Sequence, residues 1–101
     1  MTRLVTAPRF RSDTNAILNY LAEVAGPRVA ARYSGHFEET IVRLTSFSES
    51  GAPRPRLGQN TRVAIVQPYL LIYDFTPNDN TLTLLRILHG RRNITRGLLG
   101  R

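Results

Sequence analysis

From Tyr69 the chain reads Tyr-Leu-Leu-Ile-Tyr-Asp-Phe, and from Leu82 it reads Leu-Thr-Leu-Leu-Arg-Ile-Leu-His, two short runs separated by Pro77-Asn78-Asp79-Asn80. Four turn-forming residues between two apolar runs predict a β-hairpin with a four-residue loop. If Thr76 faces Thr81, period two sets Tyr73 opposite Leu84 and Leu71 opposite Arg86. Leu71, Tyr73, Phe75, Leu82, Leu84, Arg86 and Leu88 then share one side, and Leu70, Ile72, Asp74, Thr83, Leu85, Ile87 and His89 the other. An antiparallel sheet with one wet face alternates apolar and polar residues. Here both faces are largely apolar, so the chain must fold into layers that cover a sheet from two sides.

The remaining elements follow from periodicity. Leu4-Val5-Thr6 is a short edge strand. Ser12 or Asp13 is placed to cap a helix whose Ile17, Leu18, Leu21, Val24 and Ala25 form one stripe. Gly26-Pro27 ends that helix, and Pro27 suits the first turn of the next, which runs to about Phe47 with Ala30, Tyr33, Phe37, Ile41 and Leu44 on its apolar face. Two helices joined so tightly fold back on each other. The prolines and glycines of Ser48 to Asn60 predict a long basic loop without regular structure. Strands follow at Arg62 to Val66, Tyr69 to Thr76 and Thr81 to Leu88, and Asn93 caps a short third helix bearing Ile94, Leu98 and Leu99. The order β-α-α-β-β-β with a short C-terminal helix makes residues 1–101 a single α+β domain. The helical hairpin can cover only one face of its sheet, and the tail is too short to roof the other, so a partner is expected there.

Composition narrows the function. The chain has no Cys, which excludes disulfides, thiolate metal sites and cysteine nucleophiles. The longest apolar run, Tyr69 to Tyr73, is far below the roughly 18 residues of a membrane span, and the N-terminus carries no apolar leader segment, so a cytoplasmic protein without a membrane partner is expected. All fourteen basic residues are Arg and the net charge is +7. Residues 1–49 carry six Arg against five acids, whereas residues 50–101 carry eight Arg against Asp74 and Asp79. The positive field therefore belongs to the C-terminal half, where guanidinium groups can grip carboxylates or phosphates.

Several segments together resemble the RelE/ParE superfamily, the toxin half of bacterial type II toxin–antitoxin pairs. They are Ile17-Leu-Asn-Tyr-Leu-Ala22, the Gly26-Pro27 break, Pro53-Arg-Pro-Arg-Leu57, Tyr69-Leu-Leu-Ile-Tyr73 and Leu85-Arg-Ile-Leu-His-Gly-Arg-Arg-Asn93. The last is most similar to the ParE branch, where an arginine, two apolar residues and His-Gly close the final strand. The resemblance implies a helical hairpin packed on a curved antiparallel sheet, with no cofactor and no metal. It also implies a cognate antitoxin that wraps the toxin as a hetero-oligomer, here over Leu71, Tyr73, Phe75, Leu82, Leu84 and Leu88. Operator DNA is reached only through that antitoxin.

Within the family the branches differ in target. ParE-like toxins poison DNA gyrase by protein contact and are not enzymes, whereas RelE-like toxins cut mRNA on the ribosome without a metal. On the ParE reading Arg54, Arg56, Arg86, Arg91, Arg92 and Arg96 bind the target or its phosphates. On the nuclease reading Arg86 clamps phosphate, His89 is the acid or base, and Arg62 with Arg54 and Arg56 contacts RNA. Family nucleases use lysines, and this chain has none, which favours the ParE branch. His89 is expected to be structural at the strand end, and His36 a partly exposed helix residue. Arg86 has a structural alternative, in which its stem packs on Leu84 and Leu71 and its head pairs with Asp74 or the antitoxin. Asp74 stands where many relatives carry a basic residue. A third reading is a non-toxic structural or regulatory partner of the antitoxin.

Overall fold

A computed structural model describes residues 2–101. Its elements are β1 (Arg3–Thr6), α1 (Pro8–Ala25), α2 (Pro27–Ser46), β2 (Ala52–Pro53), β3 (Thr61–Val66), β4 (Tyr69–Thr76) and β5 (Thr81–His89). They form a five-stranded sheet in the order β1-β5-β4-β3-β2 with the helical hairpin on one face. Strands β2 to β5 pair antiparallel, and β1 joins β5 in parallel.

The helix starts at Pro8 rather than at Ser12 or Asp13. Pro8 forces Ala7 into an extended conformation (φ −70°, ψ 147°) and itself enters the first turn, where its missing N–H is not needed. Ser12 is already inside the helix, its Oγ donating to the Pro8 carbonyl at 3.2 Å. Gly26 between the helices has φ 96°, a backbone region that side chains with a Cβ rarely adopt, and this allows α2 to reverse direction at once. The loop after α2 is not wholly irregular, since Ala52 and Pro53 pair with Val63 and Arg62 as a short edge strand. Tyr73 fixes its approach, donating from its hydroxyl to the Ser48 carbonyl at 2.8 Å and accepting the Gly51 N–H at 3.0 Å.

The β4–β5 register follows the expected pairing from Thr76↔Thr81 to Tyr73↔Leu84 and then slips by one residue. Leu85 is the extra residue of a β-bulge, so Ile72 opposes Arg86 and Leu71 opposes Ile87 instead of Arg86. The slip exchanges the faces of every later residue. Ile87 joins Leu71, Tyr73, Phe75, Leu82 and Leu84 in the helix-covered core with Phe10, Phe37 and Leu44. Leu88 moves to the opposite face beside Val63 and Ile72.

That opposite face is roofed by the tail. Ile94, Leu98 and Leu99 pack against Val63, Ile72 and Leu88, which are all buried. The tail makes a single 3₁₀ turn over Arg96–Leu99, preceded by Thr95 with no side-chain cap, so Asn93 does not cap a helix. The three aliphatic side chains of the tail cover the centre of this side, with Leu70 and Leu85 packed partly buried beside them. Over Val63, Ile72 and Leu88 the tail thus supplies the cover that was expected from a partner.

Candidate functional site

Asp13, one turn before Ile17 on the helix stripe, reaches the free edge of β5 just beyond the end of β1. Arg86 grips its carboxylate with two parallel bonds, Nε to Oδ2 at 2.6 Å and Nη2 to Oδ1 at 2.8 Å. Nη1 donates to the Leu98 carbonyl at 2.7 Å, and Asp13 also accepts the Ile87 backbone N–H at 3.1 Å. The two side chains are only 13% and 14% exposed. Its hydrogen bonding to the Asp13 carboxylate, outweighing burial, holds the Arg86 guanidinium above its ordinary pKa. Arg86 therefore joins α1, β5 and the tail, with its donors directed inward. Its carboxylate partner is Asp13 and not Asp74.

Asp74 belongs to a second tie. It accepts from Thr61 Oγ1 at 2.5 Å and pairs with Arg101, whose Nη1 donates to the Leu57 carbonyl and to Thr61 Oγ1, each at 2.8 Å. This guanidinium fastens the end of the tail to the loop carrying Arg54 and Arg56. Arg96 accordingly lines a cleft with Gly58, Gln59, Asn60, Asp74 and Arg101.

The residues of the nuclease reading do not converge. Arg62 holds the loop after α2, its Nη1 donating to the Glu49 and Gly51 carbonyls at 2.7 and 2.8 Å. It lies opposite Tyr73, while His89 lies opposite Tyr69 on the other side of β4. Four residues of strand put these levels about 13 Å apart. His89 Nδ1 accepts the Arg91 N–H at 3.1 Å and its ring meets Tyr69 edge-on at 5.8 Å, so it stabilises the strand end through a backbone amide. His36 is exposed on α2 beside Tyr33. Among the described residues no cluster of His, Asp or Glu is arranged to hold a metal ion.

Leu71, Tyr73, Phe75, Leu82, Leu84 and Leu88, expected under an antitoxin, are instead interior. The first five lie beneath the helices and Leu88 beneath the tail, because the hairpin takes the face assigned to a partner and the bulge moves Leu88 across. Of the predicted site residues, those that remain at the surface are mainly cationic. Arg54, Arg56, Arg91, Arg92 and Arg96 are all exposed, and the ion pairs among the described residues use only Arg62, Arg86 and Arg101.

The sequence reading missed Asp13 as a functional contact. The signal was present: Asp13, Ile17 and Leu21 fall at i, i+4 and i+8, so the carboxylate lies in line with the apolar stripe and needs a buried partner. Arg101 carried no comparable signal.

A family described as the ParE toxin of the type II toxin–antitoxin system, parDE, matches residues 4–94. The chain belongs to this family. Toxin ParE3 of Caulobacter vibrioides is 28% identical over 94 residues, covering 93% of this chain and 92% of that protein. Among solved structures, the chromosomal ParDE system of P. aeruginosa aligns with TM-score 0.73 at 21% identity, over 88% of this chain and 96% of the other. The RelBE2 toxin–antitoxin complex of Mycobacterium tuberculosis aligns with TM-score 0.61 at 21% identity, over 87% and 90%. Both likenesses are of fold. This ParE-family chain is a type II toxin, and no helix among its described residues is long and apolar enough to cross a membrane.

Proposed function

We propose that this toxin arrests growth by binding DNA gyrase in the manner of the ParE branch, without catalysing a reaction, and that a cognate antitoxin neutralises it in a hetero-oligomer. The observation that carries the reading is Arg86. The arginine that a nuclease would present to phosphate is spent on Asp13 and the Leu98 carbonyl, and His89 and Arg62 serve separate backbone contacts. A metal-free ribonuclease needs base, acid and phosphate clamp around one scissile bond, and these three do not surround a common point. Protein contact needs no such convergence. Arg54, Arg56, Arg91, Arg92 and Arg96, exposed and free of ion pairs among the described residues, supply a surface for an acidic target.

The test separates the activities. Induced alone, the chain should halt division, and co-expression of the antitoxin should restore it. Purified toxin should inhibit gyrase supercoiling while leaving ribosome-bound mRNA intact. Cleavage of mRNA in a translation reaction, lost in His89→Gln, would overturn the reading in favour of the nuclease. Normal division with a tight antitoxin complex would make the chain a regulatory partner only.

A further inference from the structure

The tail roofs Val63, Ile72 and Leu88 but does not extend over the neighbouring corner, where β3 turns into β4 beside the end of β5. There Ile65, in mid-strand, is 64% exposed. It borders a cleft of about 400 Å³ shared with Pro68, Leu70, His89, Gly90 and Arg91. Strand β2 pairs only with Arg62 and Val63, so among the described residues β3 has no strand on its outer side from Ala64 to Val66.

The corner is held rigid by its own backbone. Gly90 N–H donates to the Pro68 carbonyl at 2.8 Å, Arg92 N–H to the His89 carbonyl at 3.0 Å, and Arg91 N–H to His89 Nδ1 at 3.1 Å. A Cβ on Gly90 would stand 3.2 Å from the Pro68 oxygen, a tight contact that marks the close approach of turn and strand end. These bonds fix the backbone of two consecutive exposed arginines beside an aliphatic ledge. A pre-ordered contact of this kind loses little conformational freedom when it is covered.

We propose that this corner is the anchor point for the toxin's target and takes an acidic, apolar-bearing surface of that protein. The inference rests on the reading of the chain as a toxin that acts by protein contact. Charge decides the occupant. Arg91 and Arg92 have no ion pair among the described residues, and the nearest acid in the sequence, Asp79, is twelve positions from Arg91. A second copy meeting the same corner would set like charges together, and a nucleic acid backbone would gain nothing from Ile65.

The experiment compares Ile65→Asp, Arg91→Glu with Arg92→Glu, and Arg28→Glu as a charge control on α2. Growth arrest on induction reports target engagement whatever the target is, antitoxin pull-down reports folding, and gyrase inhibition tests the target's name. The corner variants should need about tenfold more toxin for half-maximal arrest, as loss of a central contact does, while antitoxin binding and the control remain unchanged. Corner variants that arrest growth as well as the wild type overturn the proposal. So does lost antitoxin binding with arrest retained, which would give the corner to the antitoxin. Wild-type toxin that arrests growth without touching gyrase would overturn the proposed target while leaving the corner's test intact.

Discussion

Asp13 joins two elements through one carboxylate, gripping the Arg86 guanidinium bidentately and receiving the Ile87 N–H from the sheet edge. Removing one partner of a mostly buried pair leaves the other charge desolvated. Asp13→Ala is therefore expected to lose about 3–5 kcal/mol, whereas Asp13→Leu combined with Arg86→Met should recover much of it. Urea unfolding of the three proteins checks this, and a single-variant loss below about 1 kcal/mol would show the pair to be solvated. Tyr73 is the second such residue. Its hydroxyl is the partner of both the Ser48 carbonyl and the Gly51 N–H, so Tyr73→Phe should lose about 1–3 kcal/mol. Burial also pushes the Tyr73 and Tyr69 phenols above their ordinary pKa. A raised folded-state pKa means the unfolded chain ionises first. This stabilisation is thus complete below about pH 10 and is lost as the pH rises through the elevated values. Unfolding at about pH 9 and about pH 11 should show a steeper loss in the wild type than in Tyr73→Phe.

Strand β5 shows where a one-dimensional pattern stops carrying structural information. Its existence, its turn and its first four pairings follow from alternation and from Pro77 to Asn80. The bulge at Leu85 does not, because Leu84, Leu85, Ile87 and Leu88 offer an apolar residue to either face in either register. A slip of one leaves the apolar pattern intact while moving Arg86 and Leu88 to the other side. The same ambiguity hid which face the helices would take. The tail was legible as apolar at Ile94, Leu98 and Leu99, but not as sufficient, since its sufficiency depends on ties from Arg86 to Leu98 and from Arg101 to Leu57 that join distant parts of the chain. Deleting residues 94–101 should uncover Val63, Ile72 and Leu88 and destabilise the fold by about 2–4 kcal/mol, given half-burial of three aliphatic side chains. Denaturant midpoints and binding of a hydrophobic dye measure it. Unchanged stability with no dye binding would mean the strip is covered by something other than the tail.

Across the whole molecule, the excess of charge read from the sequence becomes a surface only after internal pairing is subtracted. Of the eight arginines after residue 49, Arg62, Arg86 and Arg101 are paired with Glu49, Asp13 and Asp74, two of these acids coming from the N-terminal half. Arg54, Arg56, Arg91, Arg92 and Arg96 remain exposed. Arg101 bonds the Leu57 carbonyl, and so draws the loop of Arg54 and Arg56 against the tail that carries Arg96. Composition made the positive field visible; its assembly on the tail side required the fold. A field of this kind acts chiefly on encounter, because exposed charges steer a partner over about a Debye length and contribute little once contact is made. The association rate of the toxin with its acidic target should therefore fall about tenfold or more between about 50 mM and about 300 mM salt, while the dissociation rate changes far less. Arg54→Gln with Arg56→Gln should flatten that salt dependence without altering dissociation, whereas Ile65→Asp should speed dissociation at every ionic strength. Stopped-flow association and surface-bound dissociation separate the two rates. A salt response confined to dissociation would place the charges inside the contact rather than around it.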